Sequence, residues 1–278
     1  MMAPLLLALL SSPVALAAPP DPSPPGANDF ECKPSKAHPR PVVLVHGLGA
    51  TMGTNWGYHS PRIAEAGYCV FALTYGRDPR LAQQPISPGG VIPMEQSARE
   101  LKRFVGEVRR RTSSGRVDLI GHSEGTVMPR YYLERLRGKR HVRRFIALTP
   151  LWRGTQLLGV DALRDVGAAF GLSTQAVDLV AAICGSCPQF VRGSDYLNDL
   201  NRDGEAIRGI KHTSIVTRYD ELVIPHTSGL MRDGGTNIVI QDVCPLDFYE
   251  HGGVAADPVV TQMFVNALDP ARERPVRC

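Results

Sequence analysis

The segment VDLIGHSEGT, residues 117–126, constrains the fold more than any other part of the chain. An apolar run leads into a serine that has a glycine two positions away on each side, and apolar residues then recur at helical spacing at Met128, Tyr132 and Leu136. A buried strand that turns sharply into a helix at such a serine exposes its hydroxyl, and the glycines leave room where the two backbones come close. The pattern predicts that Ser123 is a nucleophile rather than a structural turn serine.

Short apolar runs alternate with longer helical patterns along the chain, which is typical of a mainly parallel sheet covered by helices on both faces. The first run, PVVLVHG, is apolar without alternation, as a strand covered on both faces requires. A helix is predicted between the second and third strands, with Met94, Ala98, Leu101, Val105 and Val108 on its buried face. Six strands are predicted, at residues 41–47, 68–76, 116–123, 143–150, 213–220 and 236–243.

The chain has 278 residues, enough for one domain with a sizeable core, and no internal repeat divides it. We assign residues 29–278 to a single α/β domain. Residues 156–190 form an insertion between the fourth and fifth predicted strands. This insertion is either a small helical cap over the site or ordinary packed helix.

The first residues have the features of a secretory signal. Residues 1–17 form an apolar run that is too short to span a bilayer and ends in small residues, so cleavage is expected near Ala17 or Ala18. Residues 18–28 are rich in proline and are expected to be an extended, mobile tail. We therefore expect a protein that is secreted or held in the cell envelope, with no transmembrane segment.

Six cysteines follow this leader, so a disulfide framework is expected rather than free thiols. Six cysteines can pair in many ways, and the residues alone do not choose among them. The most economical pairing ties down both ends of the domain: Cys32 with Cys69, Cys184 with Cys187, and Cys244 with Cys278. The spacing of Cys184 and Cys187 also resembles a redox-active pair, but the βαβ pattern expected around such a motif is absent.

A serine hydroxyl needs a base that is itself oriented by a carboxylate, and after a strand, turn and helix of this kind the chain order is serine, acid, histidine. Asp220 is the favoured acid, because it follows the fifth predicted strand at the edge of the sheet where Ser123 lies. Glu221 is its rival, and Asp242 and Asp247 come later in the chain.

Two histidines follow the acid. His226 is so near the acid in sequence that it would have to fold back onto it, whereas His251 follows the sixth predicted strand and precedes a helical pattern near residues 258–268. His251 is therefore the favoured base. His46 and His122 precede the acid, and we expect them to shape loops instead.

Ester or amide chemistry at a serine also requires two donors for the oxyanion. One is the N–H of the residue after the nucleophile, Glu124, and the other comes from the loop after the first strand, where Leu48 follows His-Gly. A carboxylate at the start of a helix complements the helix dipole by about 0.3–1 kcal/mol. Because a negative charge would oppose the oxyanion, the Glu124 side chain is expected to turn outward, toward a hydroxyl, amide or arginine of a neighbouring loop.

Five motifs, in this order, resemble the secreted class 2 lipases of actinobacteria, an α/β-hydrolase family. They are PVVLVHG with its glycine-rich loop, GHSEGTVMPRYYL, LTPLWRGT, TRYDELVIPHTS and DVCPLDFYEHGG, and the likeness covers nearly all of the chain after the leader. The resemblance implies hydrolysis of acylglycerols or other fatty-acid esters by Ser123, Asp220 and His251, with Leu48 and Glu124 as oxyanion donors.

The resemblance also implies the cysteine pairing given above. The chain departs from the family at Glu124 and Thr126, where such lipases more often carry glutamine and glycine.

The expected function is that of a secreted serine hydrolase, a triacylglycerol lipase that acts in lipid catabolism as a monomer and touches lipid surfaces transiently. The alternatives are a short-chain carboxylesterase, a cell-envelope acyltransferase with the same triad, and a non-catalytic binding protein on this scaffold. No metal or organic cofactor is expected. The net charge of +4 is small for this length and the basic residues are spread out, which argues against nucleic-acid binding.

Overall fold

The computed structural model describes residues 21–81, 87–156 and 184–278. In these ranges the strands are β1 (Val42–Val45), β2 (Val70–Leu73), β3 (Val117–His122), β4 (Val142–Leu148), β5 (Lys211–Val216) and β6 (Thr236–Val239). They form one sheet in the order β2-β1-β3-β4-β5-β6, and every neighbouring pair is parallel. The carboxyl ends of all the strands therefore meet at one edge, where loops of open α/β sheets carry their functional residues.

Helices cover both faces of this sheet. Among the described residues they are α1 (Met52–Trp56), α2 (His59–Glu65), α3 (Met94–Arg111), α4 (Glu124–Arg135), α5 (Asp195–Leu200), α6 (Ile240–Val243) and α7 (Pro258–Leu268). On one face α3 and α4 pack against Val43 and Val45, and on the other face α1, α2 and α7 pack against Val42 and Leu44. Successive strand residues point to opposite faces, so a strand covered on both sides is apolar throughout. The predicted fold class is confirmed.

The sixth strand is shorter than the sequence predicts. A single strand is expected over residues 236–243, but β6 ends at Val239 and α6 follows at once, so the second half of this prediction is wrong. The buried side-chain amide of Gln241 accepts the main-chain N–H of Arg218 at 2.8 Å and donates to the main-chain oxygen of Asp247 at 3.0 Å. These bonds hold α6 to the segment that follows β5 and to the loop before His251.

The start of the described chain is paired, although the sequence predicts an extended, mobile tail over residues 18–28. Ala27 forms a parallel bridge with Val70, and the main-chain N–H of Asn28 donates to the Val70 oxygen at 2.9 Å. The Asn28 side chain also bonds both main-chain groups of Ala72, at 2.8 and 2.9 Å. This pairing occupies part of the free edge of β2, where unpaired backbone groups would otherwise face solvent.

Two expectations from the sequence fall wholly or largely outside the described residues. These are the leader at residues 1–17 and, within the expected cap at 156–190, residues 157–183. The described end of the cap segment forms the 3-10 turn Cys187–Phe190, and the main-chain N–H of Gly185 donates to the oxygen of Val91 at 2.8 Å. No helix of the described ranges has the length and apolar character needed to cross a bilayer.

Three disulfides tie the chain. They join Cys32 to Cys69, Cys184 to Cys187, and Cys244 to Cys278, which are the pairs named from the sequence, and the described residues contain no free cysteine. The first holds the segment before β1 to the residue before β2. The third holds Cys278 to Cys244, directly after α6.

Candidate active site

Ser123 stands in the sharp turn between β3 and α4. Its backbone has φ 54° and ψ −122°, a conformation that costs energy for any residue other than glycine. A Cβ added at Gly121 would lie 2.0 Å from the main-chain oxygen of Gly125, and one added at Gly125 would lie 2.3 Å from that of Val45. Close backbone contact therefore requires both glycines of the motif, and the turn presents the serine at the carboxyl edge of the sheet.

The side chain of His251 is bonded to the carboxylate of Asp220. Nδ1 lies 2.9 Å from Oδ1 and 3.0 Å from Oδ2, and the two side chains are 5% and 1% exposed. Oδ1 also accepts the main-chain N–H groups of Leu222 and Val223, at 3.0 and 2.7 Å. Because β5 ends at Val216, earlier than predicted, Asp220 lies within a loop, and these main-chain bonds rather than a strand fix its orientation.

The rivals named from the sequence have other positions. Glu221 Oε2 accepts the main-chain N–H of His251 at 3.1 Å, so this carboxylate does not touch the imidazole. Asp242 forms an ion pair with an arginine, and Asp247 accepts a main-chain N–H in its own loop at 3.0 Å. His226 begins a half-buried 3-10 turn. The structure thus brings His251, and not His226, to Asp220.

His251 contacts His122, the residue before Ser123, and therefore lies beside the serine turn. Nε2 of His122 is 3.0 Å from the main-chain oxygen of His251, and the two rings have centroids 5.1 Å apart. Burial lowers the pKa of His122 well below its usual value. Within the described residues the His251 side chain bonds to Asp220 alone, and no hydrogen bond joins its Nε2 to Ser123 Oγ. In enzymes without substrate such a bond is often long and tightens on binding.

The loop after β1 runs next to the serine. A Cβ added at Gly47 would lie 3.1 Å from the Cβ of Ser123. His46 Nδ1 is 2.7 Å from the main-chain oxygen of Gly47. Because the C=O and N–H of a trans peptide point in opposite directions, this bond directs the N–H of Leu48 away from the His46 ring. The N–H groups of Leu48 and Glu124 meet no acceptor among the described residues, so both are available to a ligand.

His46 is held in one tautomer by its neighbours. The main-chain N–H of Tyr75 donates to Nε2 at 3.2 Å, and the two rings stack with centroids 4.3 Å apart. Burial lowers the pKa of His46 to about 4, so the neutral ring accepts at Nε2 and donates from Nδ1. On the other side of the loop, Gly89 pairs with Gly49 and Ala50 through main-chain bonds of 2.9 and 3.0 Å. The loop is thus fixed from both sides.

The side chain of Glu124 is completely buried rather than turned outward. Oε1 lies 3.2 Å from the hydroxyl of Tyr75, and Oε2 lies 2.9 Å from the hydroxyl of Ser186. Burial raises the pKa of Glu124 to about 8, against smaller opposing effects of the two hydroxyls. The expected hydroxyl partners are present.

Four residues that support the site have no role in the sequence analysis: Asn55, His59, Tyr75 and Ser186. Asn55 Oδ1 accepts the main-chain N–H of Gly47 at 2.9 Å, and His59 Nε2 lies 2.9 Å from the oxygen of Val254, in the turn after His251. The flanking cysteines could have drawn attention to Ser186, and the end of a predicted strand to Tyr75. No local pattern marks the other two.

A parallel sheet with a strained serine between β3 and α4, and an aspartate–histidine pair on later loops, defines an α/β-hydrolase. The sequence profile of the family "Lipase (class 2)" matches residues 39–264. The chain therefore belongs to the class 2 lipase family. This membership supports ester hydrolysis as the class of reaction. No curated protein matches the sequence.

Solved structures share this fold at low sequence identity. Lipase B of Aspergillus fumigatus is 19% identical with a TM-score of 0.67, over 92% of this chain and 56% of that one, so the chain spans little more than half of that protein. The mature lipase BlEst2 of Bacillus licheniformis is 14% identical with a TM-score of 0.57, over 89% of this chain and 96% of that one. An extracellular α/β-hydrolase of a Paenibacillus species is 12% identical with a TM-score of 0.51, over 86% of this chain and all (100%) of that one.

Proposed function

We propose that this chain is a secreted triacylglycerol lipase of the actinobacterial branch of its family. The observation that carries the proposal is the bond between His251 Nδ1 and the Asp220 carboxylate, next to the strained turn of Ser123. In this proposal Ser123 is the nucleophile, His251 the base and Asp220 the acid that orients the base. The N–H groups of Leu48 and Glu124 are the oxyanion donors.

The reaction proceeds through an acyl-enzyme. His251 takes the proton of Ser123 Oγ as that oxygen attacks the ester carbonyl carbon, and the resulting oxyanion binds the N–H groups of Leu48 and Glu124. His251 then gives the proton to the alcohol oxygen, and the ester C–O bond breaks. Water then loses a proton to His251 and attacks the acyl carbon. The bond from that carbon to Ser123 Oγ breaks, His251 returns the proton to Oγ, and the fatty acid leaves. Asp220 stabilises the imidazolium that forms in each half of the cycle.

Large apolar side chains are exposed on the loops that carry the proposed catalytic groups. We call them the apolar rim: Leu48, Tyr219, Leu222, Ile224, Leu246 and Phe248. Leu246 is 83% exposed and Phe248 64%, and the rings of Tyr219 and Phe248 lie 5.3 Å apart. These two rings form an exposed apolar pair, and exposed apolar patches are typical of an interaction site. The rim supports transient contact with a lipid surface, which would bring insoluble substrates to Ser123.

The catalytic assignment is tested with Ser123→Ala. We expect this variant to lose both ester hydrolysis and labelling by a fluorophosphonate, because the attacking oxygen is gone, while its unfolding by urea stays close to that of the wild type. Ser113→Ala is the matched control, because Ser113 is an exposed serine with the same φ of 54° and has no histidine base. Turnover retained in Ser123→Ala would disprove the assignment.

The substrate class is tested by comparing emulsified long-chain glycerides with dissolved short esters. We expect Leu246→Ser with Phe248→Ser to lower the rate on the emulsion by about 10-fold or more, and to leave the rate on the dissolved ester nearly unchanged, because the rim acts at the interface. A wild type that turns over only dissolved esters would instead be a carboxylesterase. Acyl transfer to an added alcohol that outruns hydrolysis would indicate an acyltransferase.

Export and domain organisation are part of the same proposal. Residues 1–17 are proposed as the signal peptide, 29–278 as the hydrolase domain and 156–190 as a cap, and one chain supplies every proposed catalytic group, which suits a monomer. Three disulfides support an oxidising compartment. The mass of protein recovered from the medium of an expressing bacterium should correspond to cleavage near Ala17 or Ala18.

A further inference from the structure

Glu124 occupies an unusual position for a carboxylic acid. Its side chain is fully buried directly after the proposed nucleophile, and among the described residues no lysine, arginine or charged histidine pairs with it. The groups that touch its oxygens are the hydroxyls of Tyr75 and Ser186. An ionised carboxylate at this place would lack a counter-charge and would lie close to the amide proposed to bind an oxyanion.

The hydrogens around Glu124 can be counted. The Ser186 hydroxyl lies 2.6 Å from the main-chain oxygen of Gly90 and 2.9 Å from Glu124 Oε2. The Tyr75 hydroxyl lies 2.9 Å from the main-chain oxygen of His46 and 3.2 Å from Glu124 Oε1. Each hydroxyl has one hydrogen but two oxygen neighbours, and its carbonyl neighbour is the nearer and cannot donate. An ionised Glu124 leaves two of these four contacts without a hydrogen, whereas a neutral Glu124 leaves one.

We propose that Glu124 is a neutral carboxylic acid during catalysis, that its Oε2 donates to Ser186, and that this bond makes the loop closed by Cys184 and Cys187 a positioning element for both oxyanion donors. In this arrangement the Ser186 hydroxyl donates to the main-chain oxygen of Gly90, and the Tyr75 hydroxyl donates to the main-chain oxygen of His46. The side chains of this set do not touch the substrate, and Glu124 reaches it only through its main-chain N–H. The catalytic half of the inference rests on the proposed function, while the protonation of Glu124 does not.

The disulfide loop reaches both halves of the proposed oxyanion site. Through Ser186 it bonds to Glu124, whose N–H is one donor. Through Ser186 it also bonds to Gly90, where an added Cβ would lie 3.3 Å from the Cα of Leu48, the other donor. The neighbouring Gly89 pairs with the Leu48 loop through its main chain. One serine, held between two bonded cysteines, therefore couples the positions of both N–H groups.

The titratable groups that face Glu124 stay neutral near the pH of catalysis. Burial raises the pKa values of Tyr75 and Tyr196 well above the usual range, and it lowers the pKa of His46 to about 4. Glu124, with its pKa raised to about 8, is the group of this set that titrates near neutral pH. Its ionisation would place a negative charge behind the oxyanion donor and slow the reaction as the pH rises.

The protonation state is tested without reference to activity. The infrared difference spectrum between wild type and Glu124→Gln is expected to show the C=O stretch of a neutral carboxylic acid at about pH 6, and a carboxylate band in its place at about pH 10. A carboxylate band at about pH 6 overturns the proposal. Glutamine supplies the same donor and acceptor, so a Glu124→Gln chain that fails to fold also contradicts it. This result stands even if the chain hydrolyses no ester.

The effect on catalysis is tested through the pH dependence of kcat/KM. We expect the wild-type kcat/KM to fall by about 10-fold on the alkaline side, with an apparent pKa near 8. In Glu124→Gln we expect nearly equal kcat/KM values at neutral and alkaline pH, because no group behind the donor can ionise. An alkaline fall that is unchanged in this variant overturns the proposal.

The role of the loop is tested with Ser186→Ala. We expect kcat on a dissolved ester to fall by about 10-fold while KM changes little, because both donors lose a common support. Ser228→Ala is the matched control: Ser228 is also buried and donates to a glycine carbonyl, that of Gly154, at 2.7 Å, but it has no contact with Glu124. Equal kcat values for the two variants contradict a positioning role.

Discussion

Two adjacent carboxylates contact the same histidine at different atoms. Asp220 binds the imidazole Nδ1, at 2.9 Å, and Glu221 binds the main-chain N–H, at 3.1 Å. Only the first contact selects the tautomer that leaves Nε2 able to accept a proton. At the scale of single residues, the chemistry of the proposed site therefore depends on which atom a carboxylate reaches rather than on its presence near the base.

This difference gives a paired prediction for kcat. Asp220→Asn should lower kcat by roughly 10³–10⁴-fold, because the amide can hold the ring in the wrong tautomer and cannot stabilise the imidazolium. Glu221→Gln should cost less than about 10-fold, because the amide oxygen still accepts the main-chain N–H of His251. Rates on a dissolved ester, measured with both proteins folded, check this. Equal losses of kcat in the two variants would mean that Asp220 and Glu221 orient His251 together, and not Asp220 alone.

Glu124 also predicts how stability depends on pH. Its pKa is raised from 4.5 to about 8, so between these values the folded chain keeps a proton that the unfolded chain has released. The free energy of unfolding therefore falls as the pH rises through this window, by a few kcal/mol at about 1.4 kcal/mol per pKa unit. Glu124→Gln lacks this dependence, so its free energy of unfolding should rise relative to that of the wild type as the pH increases toward 8. Urea unfolding at several pH values measures it, and parallel curves would contradict the prediction.

At the scale of secondary-structure elements, the strands and long helices were predictable from local sequence patterns. A strand buried on both faces is an apolar run, and a helix buried on one face has apolar residues at every third or fourth position. Apolar runs located the six strands of the described ranges, and the spacing from Met94 to Val108 located α3. The end of β6 was not predictable, because it depends on bonds from Gln241 to a distant loop. The same holds for the contact between Ser186 and Glu124, which are far apart in sequence and share no periodic pattern.

The turn from β3 to α4 is the element whose geometry leaves least room for change. Gly121→Ala should destabilise the protein by more than about 3 kcal/mol, because its Cβ would lie 2.0 Å from a main-chain oxygen that cannot move alone. Gly106→Ala, within α3, is the control. Its Cβ meets only the end of a flexible arginine at 3.7 Å, and we expect a gain of about 0.5–1 kcal/mol from helix propensity. Urea unfolding of both variants measures the difference, and a well-tolerated Gly121→Ala would contradict the close packing.

At the scale of the whole molecule, the three disulfides close loops of very different length. Cys32–Cys69 and Cys244–Cys278 join residues 37 and 34 positions apart. Cys184–Cys187 joins residues 3 positions apart and restrains little of the unfolded chain. The entropy that a long closed loop removes from the unfolded chain explains how the first two disulfides stabilise the fold. The third needs a local reason, and the contacts of Ser186 with Glu124 and Gly90, beside the proposed oxyanion donors, supply one.

This division predicts that the disulfide whose loss costs the least stability is the one whose loss costs the most activity, when each pair is replaced by serine. Loss of Cys32–Cys69 or Cys244–Cys278 should lower the free energy of unfolding by about 4 kcal/mol each, and loss of Cys184–Cys187 by about 2 kcal/mol, from loop-closure entropy. Among variants that remain folded, kcat on a dissolved ester should fall most in the one lacking Cys184–Cys187, because Ser186 loses the restraint that places it against Glu124 and Gly90. Urea midpoints and kcat, measured on the same preparations, separate the two effects. If activity instead follows stability across all three variants, the short disulfide acts on the fold and has no particular influence on the oxyanion donors.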